Sequence, residues 1–148
     1  MDLWKPFSDA FNGDKLLVLK TDHWSVLVRK HQVTLGSLVL AANRNFISAS
    51  ELRDAELEEF PEVVGKLEFA LEKVFRFDKI NYLCLMMSDR HYHFHVIPRY
   101  EDTRQFLGKE WIDSNWPAGP PDMIVPETDS ETLFAIRSEL KLSMTSLE

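Results

Sequence analysis

The stretch His91-Tyr92-His93-Phe94-His95-Val96-Ile97-Pro98-Arg99 decides how this chain folds. Three of the protein's five histidines stand at alternate positions within it. Along an extended strand, successive side chains point to opposite faces. His91, His93 and His95 therefore share one face, and Tyr92, Phe94 and Val96 share the other. The second set is the apolar face of a half-buried strand. The first set places three imidazoles where a core strand carries none or one. Pro98 has no N–H to give to a ladder, so it marks the strand's end.

Imidazole ligates metals, moves protons and acts as a nucleophile. A rise of about 3.3 Å per residue sets the Cα atoms of His91 and His95 about 13 Å apart. An imidazole reaches ~4.5 Å from Cα and a Zn–N bond adds about 2 Å, so two of the three can share an ion but the third needs a bulge. That geometry disfavours a single three-histidine metal site. A relay suits it better. The middle imidazole attacks an electrophile such as phosphorus, one flank orients it, and the other donates to developing negative charge. Incidental polar residues on a solvent face, or a tract that scavenges metal, rank below that reading.

The run His91 to Ile97 resembles the signature of the histidine-triad (HIT) superfamily, three histidines alternating with apolar residues. Its extension through Pro98, Arg99 and Tyr100, with Asp102 and Trp111, is similar to a bacterial branch described as diadenosine-polyphosphate-hydrolase-like. Lys79-Ile80-Asn81-Tyr82-Leu83 resembles the same branch, and the likeness spans Trp24 to Trp111. The resemblance implies an α+β fold with an antiparallel sheet of about five strands, a long helix on one face and the histidines on the opposite, concave side. It also implies a homodimer with the site near the interface. The implied chemistry is attack by His93 on the α-phosphorus of an adenosine-type nucleotide. His95 would hydrogen-bond the phosphoryl oxygens, and His91 would fix a tautomer or meet the leaving group. Arg29 would lie near the sugar or base, where relatives often carry a small polar residue.

Two positions depart from the pattern. Relatives often have a further histidine after the glycine at position 36, whereas Ser37 offers only a hydroxyl. Met87 stands where the branch commonly has an asparagine that holds phosphate. Methionine cannot donate, so Ser88 or Arg90 is expected to take that contact, and Arg90 suits a phosphate well. The substitution also motivates an alternative function, a nucleotide-binding regulatory module with little or no catalysis. No cofactor is implied, and a divalent metal, where needed, would bridge substrate phosphates.

Length and composition set the bounds. A chain of 148 residues is expected to be one domain with a core of its own. The expected division is a core over residues 14–112 and a closing helix over 130–142. A formal charge of -7 argues against long nucleic acid, whose backbone would be repelled. A small nucleotide remains compatible, because local donors can hold a phosphate inside an acidic protein. The single cysteine, Cys84, lies between Leu83 and Leu85 and reads as a buried small hydrophobe. No run approaches membrane-spanning length, so a cytoplasmic protein with no membrane partner is expected.

Outward from the histidines, Trp4, Phe7 and Phe11 recur at three and four residues, one face of a short helix with Pro6 near its start. They are expected to dock that helix on the core; contact with a nucleobase is the functional alternative. Asn12-Gly13-Asp14 signals a turn. Leu16–Leu19, Trp24–Val28 and Ser37–Ala42 then read as three strands of an antiparallel meander. Ser48–Phe75 reads as helical, with Ser50 a candidate cap and a stripe of Leu57, Phe60, Val64, Leu67, Leu71 and Val74. Pro61 predicts a break near Glu59 or Phe60. Ile80–Met87 predicts a strand joined to the histidine strand by a short hairpin. Tyr100–Pro121 reads as irregular, with Trp111 packing, and Ser130–Leu142 as an amphipathic helix with frayed residues beyond it. His23 and His31 carry no motif.

Overall fold

The computed structural model describes residues 4–11, 13–119 and 121–145. Asn12 of the expected turn, Pro120 and the last three residues lie outside the described residues. Two short helices, α1 (Trp4–Ala10) and α2 (Gly13–Leu16), precede a meander of β1 (Leu17–Lys20), β2 (Trp24–Val28) and β3 (Leu38–Ala42). A 3₁₀ turn (Ala49–Glu51) leads to the long α3 (Asp54–Phe75). Then come β4 (Lys79–Leu83), β5 (His93–Arg99), a small hairpin of β6 (Arg104–Phe106) and β7 (Lys109–Trp111), and α4 (Ser130–Thr145). The five main strands form one antiparallel sheet in the order β1-β2-β3-β5-β4. The histidine strand is thus flanked on both sides, by β3 and by β4.

Alternation along these strands sorts the residues by face. Trp24, Val26 and Val28 of β2, Leu38 and Leu40 of β3, and Val96 of β5 join α3 and α4 in the main core. Leu67, Leu71, Ile136 and Leu140 supply its helical side and are fully buried. Val39 and Ala41 point the other way and form a second, smaller cluster with Phe7, flanked by Trp4 and Phe11. Gly36 enters β3 with φ +86°, and a Cβ there would meet the Phe75 ring at 3.0 Å. The position thus needs a left-handed backbone and a bare Cα together.

The helix departs from its expected form in three ways. It runs unbroken through Pro61. The proline lies on the exposed side, so the carbonyl that loses its partner turns to water while the buried side keeps its packing. The cap before the first short piece is Ser48, whose Oγ accepts from Ser50 N–H at 3.3 Å. The expected stripe holds at Leu67 and Leu71, which are buried, and at Phe60, Val64 and Val74, which pack against the core; it is widened by Val63, Ala70 and Phe75 and loses Leu57, which is 53% exposed. At the N-terminal end the buried position is Glu56, beside Leu57. It holds Arg44 through both oxygens (2.9 and 3.1 Å) and accepts from Arg53 N–H at 2.8 Å.

Other boundaries shift too. Strand β4 stops at Leu83, which pairs with His95, and residues 84–92 form a loop in place of a short hairpin. Met86 adopts φ 54° there, and Leu85 and Met87 are exposed. Cys84 is exposed as well, because the strand that would have buried it has already ended. The β6–β7 hairpin turns at Leu107-Gly108, both at positive φ, inside a stretch that read as irregular. Trp111 packs against the main core, on the helix side of the sheet. α4 runs three residues past its expected end. Among the described residues no helix is long and apolar enough to cross a membrane.

Two truncations test the helix register. Leu67→Ala is expected to lower unfolding free energy by about 2–5 kcal/mol in urea titrations. Leu57→Ala, on the solvent side, should change it by less than about 0.5 kcal/mol.

Candidate active site

Strand β5 begins at His93, so His93 and His95 are strand residues and His91 lies just before it. Their cross-strand partners on β3 are Ala41 and Val39. The expected sharing of a face holds for His93 and His95, and the His91 ring meets the same covering aromatics. Tyr92 N–H bonds to Phe46 O and Ala42 N–H to Tyr92 O, which ties the approach to β5 onto the end of β3.

Each imidazole has a neighbour that dictates where its proton sits. A carbonyl only accepts and a guanidinium only donates. The His91 ring contacts Ala42 O through Nε2, so that nitrogen carries the hydrogen. His93 Nδ1 lies 2.6 Å from His91 O and therefore donates, leaving the lone pair on Nε2. Arg29 Nε–H donates to His95 Nδ1 at 3.2 Å, leaving the hydrogen on Nε2. The His93 and His95 rings meet edge to face, with centroids 4.9 Å apart. Burial holds His93 below the ordinary imidazole pKa, against the opposing effects of its bond to His91 O and of Asp89. Burial, then the His93 and Arg29 charges, push His95 down to about 3. At neutral pH the strand thus presents one unprotonated Nε2 beside one Nε2–H donor.

Helix α1 covers the row. Phe7 sits 4.9 Å from the His91 ring and 5.0 Å from that of His93. Trp4 packs on His91, and Phe11 on both His93 and His95. The small Ala41 opposite His93 leaves room for this approach. As a result His91 is 1% and His93 2% exposed, while His95 is only partly buried. Only a small part of the His93 ring is open to solvent, and the aromatic rings of α1 border it. The aromatics thus dock the N-terminal helix, as expected, but on the imidazoles themselves.

The other sequence-derived candidates divide. Ser88 and Arg90 are exposed and, with Pro6, Phe7, Asp89 and His91, line a cleft of about 190 Å³ at the His91 end of the row. Arg29 reaches His95. Ser37 does not join the row: its hydroxyl donates to Thr34 O at 2.7 Å and accepts from Thr34 N–H at 3.1 Å, closing a buried turn. His31 meets Val125 O through Nδ1, and His23 lines a separate cleft near Arg44 and Glu56. Among the described residues no three His, Cys, Asp or Glu side chains are grouped so as to hold a metal ion.

Sequence reasoning left out the 121–128 segment, which lies against the β2–β3 loop. Thr128 N–H bonds to Lys30 O and Met123 O accepts from Arg29 Nη2. Arg99 was also given no role. It pairs with Asp113 through two oxygens (2.6 and 3.2 Å) and donates to Asn81 Oδ1 and Ala118 O, fastening the loop after β7 to the sheet. The three aromatics of α1 were visible at their helical spacing; what they would cover was not.

The HIT domain model matches residues 11–102, well over half of the chain. This chain belongs to the HIT domain family. Solved structures agree on the fold. A histidine triad protein from Sinorhizobium meliloti gives a TM-score of 0.71 at 18% identity, covering 91% of this chain and 93% of that one. A hypothetical histidine triad nucleotide-binding protein from Sulfolobus tokodaii gives 0.68 at 18%, covering 89% and 85%. A Hit-like protein involved in cell-cycle regulation from Bartonella henselae gives 0.67 at 17%, covering 93% and 94%. No curated protein matches in sequence. Trp4, Phe7 and everything after Asp102 lie outside the residues matched by the family model.

The neutral histidines carry a pH signature. Their native pKa values lie below the unfolded one, so the unfolded chain binds more protons and stability falls as pH drops below about 6.5. Urea midpoints from pH 8 to pH 5 should decline, and His95→Gln should flatten the decline. An unchanged slope in that variant would contradict the assignment.

Proposed function

We propose that the chain is a nucleotide hydrolase or nucleotidyl transferase acting at the α-phosphorus of adenosine-type derivatives, either dinucleoside polyphosphates or nucleoside phosphoramidates. The single observation that carries the reading is the bond from His93 Nδ1 to His91 O, which leaves a neutral nucleophile at Nε2. His93 Nε2 forms a bond to phosphorus while the bond to the leaving oxygen or nitrogen breaks, and the departing group takes up a proton. Water, or an acceptor in a transfer, then attacks phosphorus, loses its proton, and the N–P bond returns its electron pair to His93. His95 Nε2–H donates to the phosphoryl oxygens as charge accumulates on them. His91 contributes through its carbonyl, which holds the His93 tautomer. Ser88 and Arg90, in the cleft beside His91, take the remaining phosphates. A divalent ion, where required, bridges substrate phosphates. The name of the Sulfolobus neighbour, a nucleotide-binding protein, is consistent with the substrate class.

Covalent catalysis divides one difficult displacement into two easier ones. The aromatic rings of α1 border His93 and limit the water around it. Membership of the branch that hydrolyses diadenosine polyphosphates, a cytoplasmic location and a homodimer belong to the same proposal. Of the two edge strands, β1 and β4, β4 lies next to exposed Leu85 and Met87 and is the edge we assign to the second copy.

A second reading, a nucleotide-binding regulatory module, is favoured by the aromatic cover over His93 and by Met87 at the expected phosphate contact, 83% exposed. The Bartonella neighbour's description as a protein of cell-cycle regulation points the same way. Turnover of diadenosine polyphosphates, adenosine phosphoramidates and adenylylated amines separates the two. His93→Ala should abolish turnover and keep adenosine monophosphate binding in calorimetry, and acid-quenched wild type should carry an adenylyl group on His93. Equal rates in both proteins refute the nucleophile. Tight binding without any turnover favours the module.

A further inference from the structure

We infer that Arg29 is a positioning residue that acts through His95: its Nε–H holds the third imidazole as the Nε2–H tautomer, so that a donor and never a second lone pair faces the phosphoryl oxygens. The inference rests on the phosphoryl chemistry proposed above, but its central observable does not require turnover.

The argument starts from what an arginine can do. The guanidinium has five N–H groups and no acceptor, and it stays charged. Whichever imidazole nitrogen faces it must accept, so the proton is driven to the opposite nitrogen. Serine or asparagine at the same place could donate or accept and would leave both tautomers open. In this chain the nitrogen that faces Arg29 is His95 Nδ1, at 3.2 Å. The neighbouring His93 ring needs its own Nε2 lone pair for attack. A second lone pair beside it would repel the phosphoryl oxygens, whereas a donor draws them in.

Three observations show that Arg29 is held for this contact. Its backbone is fixed at both ends of the loop: Arg29 N–H donates to Ser37 O at 2.9 Å, and Gln32 Nε2 donates to Arg29 O (2.7 Å) and Ser37 O (2.8 Å). Its outer nitrogens are oriented by carbonyls, with Nη1 donating to His31 O and Nη2 to Met123 O at 3.4 Å. Those two carbonyls lie on the β2–β3 loop and on the 121–128 segment, which His31 and Lys30 bind in turn. Among the described residues no carboxylate forms an ion pair with Arg29. A guanidinium serving only as a surface anchor gains from a carboxylate partner. This one keeps its positive charge beside the two strand histidines, where an anionic phosphoryl group would arrive.

The test uses the full chain labelled with ¹⁵N-histidine, the His95 signals being assigned by their loss in His95→Gln. In the wild type at pH 7, His95 should show an unprotonated Nδ1 and a protonated Nε2. Arg29→Met should bring Nδ1–H into the population, and Arg29→Lys, whose ammonium also only donates, should restore the Nε2–H form. Arg29→Gln, able to donate or accept, serves as a second variant should the methionine variant fail to fold, and it should also give a mixture. With substrate, kcat should fall roughly 10- to 100-fold in Arg29→Met, as for other partners that orient a functional imidazole. KM should move less, and lysine should recover most of the loss. A merely structural arginine would not move the tautomer. An Nε2–H signal unchanged in both Arg29→Met and Arg29→Gln, or a wild type with the proton on Nδ1, overturns the inference. Absence of turnover in every protein sinks the hydrolase reading alone, because the spectra still decide the role of Arg29.

Discussion

Strand β5 lies inside the sheet between β3 and β4, and helices cover both of its faces. Its apolar residues meet α3 and close the main core. Its other face carries imidazoles, and burying them has consequences. Buried polar groups need hydrogen-bond partners, and buried charge is costly. The chain meets both demands by keeping the rings neutral and assigning each a partner of one kind: Ala42 O, His91 O or the Arg29 guanidinium. The chemistry of the site is therefore a result of how a polar face is buried. A carbonyl against Nδ1 leaves a lone pair at Nε2; a guanidinium against Nδ1 leaves a donor there. Two rings of one type on one strand thus acquire opposite roles.

The elements around β5 serve that arrangement. Ala41, opposite His93, is small enough for Phe7 to close over the imidazole. The loop from Arg29 to Ser37 is stitched by the Gln32 amide, which bonds at four places within it. The 121–128 segment braces the arginine from outside. The Arg99–Asp113 pair, with Asn81 and Ala118, anchors the chain as it leaves the strand. That pair is buried and bidentate, so losing either partner strands a charge in a dry place. The polar contacts among these hold backbone around one short strand and lie outside the main apolar core.

Where the linear reading and the fold part company, the cause is tertiary in each instance. Pro61 predicts a broken helix from local chemistry, yet it sits on the solvent side, where a freed carbonyl is open to hydration and the packed side is undisturbed. Leu57 has the spacing of a core residue, but in that turn the buried residue is its neighbour Glu56, paired with Arg44. Leu85 and Met87 look like strand residues, but the pairing ends at Leu83 with His95, two residues short of the start of β5, and the chain turns away through Met86 at positive φ. Cys84 is exposed for the same reason. The turn of the small hairpin rests on Leu107 in a left-handed conformation, which leucine's side chain gives no reason to expect. Tyr92, Phe94 and Val96, by contrast, lie on the face that alternation assigned them.

The sequence by itself determined the strand of alternating histidines, the meander before it, the long amphipathic helix and the membership of the superfamily. These depend on periods of two and of three to four residues, which are local properties of the backbone. The tertiary structure alone decided which nitrogen of each imidazole carries its proton, that aromatic rings close over His93, and that Arg29 reaches His95 from sixty-six residues away. Such contacts join parts of the chain with no local relation. Their geometry exists only once the sheet has brought the strands into register, so no window of sequence contains it.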